Sequence, residues 1–267
     1  MLRTWLKYLT PPVFVKLARY DYRYGWHGDY PDWQSAMKLC GGYDEGSILE
    51  KIKSAALKVK NGESVFERDS ILQDTIPCSL PVLAALRWAY DTNSNKLAVT
   101  DIGGSLGTGY RQHTHFLKDI RHLSWNIVEQ KHYVKCGKEL FEDDRLKFYS
   151  SISESIKANQ PHFALISTAF QYFEKPYELL DEIIANKFEW LLLDRVGFNS
   201  ENKDRLTIQK VHPKYYNATY PCWFFYKDNI INHLSANYEL ISEYITEDKY
   251  PLGMQEFTYD GLLFRRK

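Results

Sequence analysis

Three observations predict an α/β fold built on a mostly parallel sheet. A short apolar run, Leu97-Ala98-Val99, reaches an acid at Asp101 and breaks into glycines at Gly103, Gly104 and Gly107. From there to Asp194, apolar runs of strand length alternate with amphipathic runs of helix length, as parallel strands joined by crossover helices do. The chain closes on two further strand-like runs, Tyr238–Ile245 and Gly261–Arg266, which read as an antiparallel pair.

In chain order, residues 2–19 are amphipathic and basic, with Leu2, Trp5, Leu6, Leu9, Val13, Phe14 and Leu17 set against Arg3, Lys7, Lys16 and Arg19. This segment reads either as a helix packed on its own domain and interrupted at Pro11-Pro12, or as an interfacial segment making peripheral contact with an anionic membrane. Tyr20–Trp33 crowds aromatic rings into a stretch punctuated by Gly25, Gly28 and Pro31, which reads as a loop covering either the core or a substrate. A helix is expected over 44–60, with Ile48, Ile52, Ala55, Ala56 and Val59 on one face and Asn61-Gly62 as its stop. Phe66–Ser70 reads as a charged connection and 80–90 as a second helix. No core strand is evident before residue 96. Residues 1–95 are therefore expected to form a helical N-terminal extension or lid with an aromatic loop, and 96–267 the ligand-binding domain.

Beyond the glycines, a helix is expected over 110–119, a strand over 123–128 ending at Glu129, and a helix over 132–141. A short strand over 146–149 and a strand over 163–168 follow, then a helix over 175–187 with Pro176 in its first turn and a strand over 190–194. Gly197–Trp223 reads as a long irregular stretch, a kind of segment that often carries function. A helix over 227–234 precedes the final pair.

Composition excludes several classes. The 267 residues carry 34 basic and 34 acidic side chains, so no bulk field draws the chain to nucleic acid. Cys40, Cys78, Cys136 and Cys222 lie far apart without a C-x-x-C pair, which argues against a metal site or disulfide frame and for reduced thiols in the cytoplasm. The first residues lack the continuous apolar core of a signal peptide, and no run is long and apolar enough to span a bilayer. A cytoplasmic protein is expected, at the inner face of the membrane if the N-terminal segment is interfacial.

A strand that ends in glycines and feeds a helix presents bare backbone and unpaired N–H groups to a polar ligand. Three chemistries use that shape. Gly103-Gly104-Ser105-Leu106-Gly107 satisfies the G-x-S-x-G of a serine hydrolase, with Asp194 and then His212 or His233 following in hydrolase order and His27-Gly28 posing as an oxyanion loop. The hydrolase turn follows several sheet strands, however, and the chain upstream reads as helical. A dinucleotide site needs G-x-G-x-x-G, which cannot be drawn from Gly103. A methyltransferase site fits more of the chain. S-adenosylmethionine carries an ammonium, a carboxylate and a ribose diol: Asp101 can orient the ammonium, the glycine turn can admit the methionine and ribose, and Glu129 can accept both ribose hydroxyls.

The chain resembles a family of S-adenosylmethionine-dependent methyltransferases associated with bacterial polysaccharide biosynthesis. The resemblance covers most of its length and rests on Tyr24–Tyr30, Phe66–Ser70, Asp101–Gly107, Val128-Glu129-Gln130, Ile166–Tyr172 with Pro176-Tyr177, Asp194-Arg195, Gln209–Val211, and Tyr220-Pro221 with Trp223. It implies a sugar, sugar phosphate or glycan terminus as methyl acceptor in surface polysaccharide (O-antigen) assembly. The fold expected is a Rossmann-like class I methyltransferase fold, with a mostly parallel seven-stranded sheet, an antiparallel last strand and a helical N-terminal extension. A binding module of the same fold in a glycan-assembly complex is the non-enzymatic alternative.

The candidate cofactor residues are Asp101, Gly103, Gly104, Ser105, Gly107, Glu129 and Gln130. Ser150 or Ser151 could reach the adenine edge, Ser167 and Thr168 lie at a strand end, and Arg68 could pair with the cofactor carboxylate. A sugar hydroxyl needs a general base, for which His212, His27 and Asp194 are the candidates in that order; a phosphate acceptor needs an orienting cation such as Arg195 instead. Trp26, Tyr30, Tyr172, Tyr215, Tyr216 and Trp223 are candidates to line the acceptor site. His113 and His115 read as solvent-facing, and no spacing points to a metal.

Overall fold

The computed structural model describes residues 24–40, 45–213, 217–252 and 255–267. The basic segment 2–19, the first residues of the aromatic stretch, and Tyr215 and Tyr216 lie outside the described residues. The first described elements are β1 (Gly25–Tyr30), α1 (Trp33–Met37) and α2 (Glu45–Lys60), then a hairpin of β2 (Phe66–Arg68) and β3 (Ile71–Gln73), and α3 (Leu80–Thr92). The alternating region holds β4 (Lys96–Ile102), α4 (Thr108–Thr114), β5 (His122–Val128), α5 (Lys131–Leu140), β6 (Leu146–Tyr149), α6 (Ile152–Asn159), β7 (Phe163–Ser167), a 3-10 turn (Phe170–Tyr172), α7 (Pro176–Ala185) and β8 (Trp190–Phe198). The chain ends with β9 (Arg205–Lys210), β10 (Thr219–Phe224), α8 (Lys227–Leu234), β11 (Tyr238–Leu252) and β12 (Gln255–Arg266).

The main sheet has seven strands in the order β11-β12-β8-β7-β4-β5-β6. From β8 through β6 the strands are parallel, while β12 runs antiparallel between β8 and β11. This is the architecture expected from the sequence, with the last strand inserted beside its parallel neighbours. The reason is visible in the residues: β7 and β8 are buried on both faces, so Phe163-Ala-Leu-Ile and Trp190-Leu-Leu-Leu are continuously apolar rather than alternating. Leu97, Val99, Trp125, Ile127, Leu165 and Leu192 meet α2, α3 and α5 on one face. Ile102, Ala164, Ile166, Leu191 and Leu193 meet α6, α7 and α8 on the other.

Several expectations need correction. The aromatic stretch is not a loop: Gly25–Tyr30 is a strand, paired antiparallel with β9. Gly197–Trp223 is not irregular: β8 runs on to Phe198, and β9 and β10 pair with each other to complete a second sheet, β1-β9-β10. The chain before residue 96 is not wholly helical, since it supplies β1 and the β2–β3 hairpin, although no strand of the main sheet. The helix over 152–159 is an addition. Its start is capped: the Ser151 hydroxyl accepts the Glu154 N–H at 3.2 Å, and the Glu154 carboxylate reaches back to accept the Ser150 N–H at 2.9 Å. The helix after the glycines is also shorter than expected, ending at Thr114. No helix among the described residues is long and apolar enough to cross a membrane.

Candidate active site

The glycine turn stands at the C-terminal edge of β4, the centre of the parallel region. Gly103 takes a left-handed φ of +78° and its N–H donates to the Val128 carbonyl at 2.9 Å. A Cβ there would sit 2.6 Å from that of Ala169, so any side chain would collide with the turn after β7. Ser105 is left-handed at +54° and Gly107 at +92°, which swings the chain into α4. Glu129, one residue beyond β5, reaches back under this turn. One oxygen accepts the Ser105 N–H at 3.2 Å and the other the Gln130 N–H at 2.8 Å. Burial raises the Glu129 carboxyl, and those two N–H groups oppose the shift.

Period-2 alternation places Asp101, Glu129, Ser167 and Asp194 on one face of the sheet, in line with Val99, Ile127, Leu165 and Leu192. Asp101 is only 2 % exposed. Its Oδ2 accepts the Trp125 indole N–H at 3.0 Å, and its Oδ1 accepts no hydrogen bond among the described residues. Burial pushes its pKa up to about 7; the indole N–H works against that rise, and the charges of Glu129 and Asp194 add to it.

Asp194 is closed. Tyr244 of β11 donates its hydroxyl to Oδ1 at 2.5 Å, Ser167 donates to Oδ2, and the backbone carbonyl accepts the Thr168 N–H at 2.9 Å. Thr168 and Arg195, the residues just past β7 and Asp194, are left-handed at +57° and +55°, the kind of backbone strain that collects at ligand sites. The β2–β3 hairpin brings Arg68 to this corner. Its guanidinium donates to Gln112 Oε1 at 2.8 Å, and Gln112 donates in turn to the Pro77 carbonyl at 2.7 Å. Burial and then the like charge of Arg195 pull Arg68 below the usual arginine range, while Asp69 and Asp194 oppose them. Burial raises Asp69 against the pull of Arg68 and Arg195. Glu67, fully buried, staples the hairpin to α4 by accepting the Thr108 hydroxyl, with Arg111 3.7 Å away.

Asp101, the glycine turn, Ser105, Glu129, Gln130, Ser167, Thr168, Asp194, Arg195 and Arg68 thus share one edge of the sheet. Others are elsewhere or occupied. Ser151 spends its hydroxyl capping α6, and Ser150 its N–H on Glu154. Trp26 packs edge-on against Phe224 and Phe257, with ring centres 5.8 and 4.9 Å away, between the second sheet and β12 of the main one. Tyr30 packs with Ala36, Leu206 and Ile208. The Tyr172 hydroxyl donates to Gln209 Oε1 at 2.8 Å, which ties the turn after β7 to β9. His27 sits opposite Ile208, its Nε2 buried without a hydrogen-bond partner among the described residues. His212 is exposed just past β9, its ring 4.6 Å from Tyr24. Trp223 stacks on Phe225 and lines an open cleft of about 270 Å³ with Pro176, Tyr177 and Asp204. His113 does not face solvent: it is 4 % exposed and lies parallel to Trp125. His115 is exposed, as expected. Sequence reasoning missed Trp125, Tyr244 and Gln112, none of which sits in a motif. Among the described residues no group of three His, Cys, Asp or Glu side chains is placed to hold a metal ion.

No protein-family model matches the chain, and no curated protein sequence matches it. Solved structures give distant likenesses. The N-terminal domain of EvdMO1, crystallised in the presence of SAH and D-fucose, is 12% identical over 84% of this chain and 98% of that one, with a TM-score of 0.48. Magnesium protoporphyrin IX methyltransferase from Synechocystis PCC 6803 with bound SAM is 10% identical over 85% and 99%, with a TM-score of 0.44. The glycopeptide N-methyltransferase MtfA complexed with S-adenosyl-L-methionine is 14% identical over 71% and 99%, also at 0.44. The strand order described above, not these likenesses, establishes the architecture.

Proposed function

We propose that this protein is an S-adenosylmethionine-dependent methyltransferase whose acceptor is an oxygen of a sugar, sugar phosphate or glycan terminus. The observation that carries the cofactor assignment is the row of groups on one face of the sheet edge. It comprises an acid with one open oxygen on β4, a left-handed glycine turn with no room for a Cβ at Gly103, and a second acid just past β5 that accepts the turn's Ser105 N–H. That donor and acceptor set fits an ammonium, a methionine backbone and a ribose diol. Asp101 Oδ1 would receive the ammonium, Glu129 the diol, and Arg68 the carboxylate.

Bound S-adenosylmethionine supplies an electrophilic methyl group on a sulfonium. The chain's part is to hold an acceptor oxygen in line with it, and positioning of this kind is worth ~7–11 kcal/mol in favourable intramolecular cases. The sugar assignment rests on the sequence resemblance alone. Asp194 has both oxygens engaged and so fits a structural role better than that of base. For a hydroxyl acceptor His27 and His212 remain the candidates; for a phosphate acceptor Arg195 would orient the anion without a base. The hydrolase alternative is disfavoured because no histidine among the described residues hydrogen-bonds Ser105.

Calorimetric titration with S-adenosylhomocysteine tests the cofactor, and no binding would end the proposal. Mass spectrometry of the surface polysaccharide from cells with and without the protein tests the acceptor, with loss of a methyl group expected. Cofactor binding with an unchanged polysaccharide would instead favour the non-catalytic module.

A further inference from the structure

We infer that Trp125 is a positioning residue for the cofactor: its indole N–H holds Asp101 Oδ2, so that Oδ1 alone faces the ligand's ammonium. The inference rests on the proposed cofactor reading and adds a residue to it that no motif marks. Trp125 is fully buried in β5, one strand over from Asp101, and donates to Oδ2 at 3.0 Å. The glycine turn closes around the same oxygen: a Cβ on Gly104 would come within 2.7 Å of Oδ2, and one on Gly109 within 3.0 Å. Oδ2 is therefore enclosed by backbone and indole and has no room for a ligand.

The indole is itself held. His113 lies parallel to it, with ring centres 6.3 Å apart and planes 10° from parallel, and Tyr110 meets it edge-on at 5.9 Å. The His113 Nδ1 is 2.8 Å from the Gly109 carbonyl. A carbonyl can only accept, so Nδ1 carries the proton. Burial lowers the pKa of His113, against the pull of that hydrogen bond.

The indole N–H also favours the ionised carboxylate that an ammonium requires. The other titratable groups acting on Asp101 are Glu129 beyond β5 and Asp194 midway along β8, both of which oppose ionisation. Around them stand His113 on α4 and Arg68 on the hairpin, which act on each other. Without the indole donor Asp101 holds its proton to higher pH, so cofactor binding weakens most on the acid side.

The experiment is calorimetric titration of S-adenosylhomocysteine into the full chain and into Trp125→Phe, which keeps a ring but loses the N–H, at pH 6.5 and pH 8.5. The ligand's own titration cancels in the ratio of the two affinities. The expected result is a loss of about tenfold at pH 6.5 that shrinks to about twofold at pH 8.5. Unchanged affinity, or an equal loss at both pH values, overturns the inference, because a merely structural tryptophan would give one of those results. Asp101→Asn separates the two levels: if it binds as tightly as the parent, the cofactor reading of Asp101 fails and the inference with it. Should Trp125→Phe not fold, NMR on the parent chain decides. The indole N–H resonance that moves with pH near neutrality, and ceases to move in Asp101→Asn, must stop titrating when S-adenosylhomocysteine is bound. An indole resonance that titrates identically with and without the ligand overturns the inference.

Discussion

Asp101 and Asp194 lie on the same face of the sheet, Asp101 near the C-terminal end of β4 and Asp194 where the parallel pairing of β8 with β7 ends, yet their hydrogen bonding differs. Each has one oxygen held by an aromatic donor from another strand: Asp101 by the Trp125 indole, Asp194 by the Tyr244 hydroxyl. At Asp194 the second oxygen is taken by Ser167, so the acid is satisfied within the protein. At Asp101 the second oxygen accepts nothing among the described residues, in a setting that pushes the acid up to about 7. A buried carboxylate left half-paired is costly, and in the proposed reading the cofactor's ammonium completes it. Equal burial on one face of the sheet therefore does not make equal residues: Asp101 keeps an oxygen that accepts nothing among the described residues, and Asp194 does not.

The sharpest test removes each acid and reads both affinity and stability. Asp101→Ala and Glu129→Ala are expected to weaken S-adenosylhomocysteine binding by at least ~100-fold, because a charge-assisted contact is lost. Calorimetry that finds either variant within threefold of the parent would break the comparison. Asp194→Ala should do the reverse. Affinity stays within a few-fold, while stability falls by about 2–3 kcal/mol as the Ser167 and Tyr244 hydroxyls lose their acceptor, measured by urea denaturation. A stable Asp194→Ala that cannot bind would reassign that acid to the ligand.

A third prediction concerns pH. The pKa of Asp101 rises on folding from 3.8 to about 7, so the folded state keeps a proton that the unfolded chain has released. Its contribution to stability is full below about pH 4 and is lost as pH rises through 7. Asp101→Asn should remove about 2 kcal/mol of stability loss between pH 5 and 7 relative to the parent, read from denaturation midpoints across that range. Parallel pH profiles would show that Asp101 is ionised in the empty protein. The smallest effect is expected for Tyr244→Phe, which removes one of the two donors to Asp194 and should cost about 1 kcal/mol without changing cofactor affinity. Weaker binding in this variant would tie Asp194 to the ligand after all.

Much of this edge was legible from local pattern. Asp101, the glycines and Glu129 announce themselves because a strand, its turn and the next helix start are set by residues close in sequence. The helix over 152–159 is equally local, signalled by Ser151 and Glu154, but its apolar periodicity is too short to mark it. The second sheet was not legible. β1 finds its partner about 180 residues downstream in Arg205–Lys210, and glycines at 25 and 28 argue for a loop until that partner is present. For the same reason the pattern leaves the aromatic residues of that region open between core packing and a substrate surface. Trp26 and Tyr172 turn out to be packing between sheets, which only the pairing reveals.

The sequence by itself determined the parallel sheet, its antiparallel close and the acids at its edge, because hydrophobic period, glycine and proline act over a few residues. Only the tertiary structure decided what those acids can do. The indole that reaches Asp101 lies 24 residues away and the hydroxyl that reaches Asp194 lies 50, and no local rule links them. A hydrogen bond acts through space, so the oxygen left open to a ligand was settled when the strands came together.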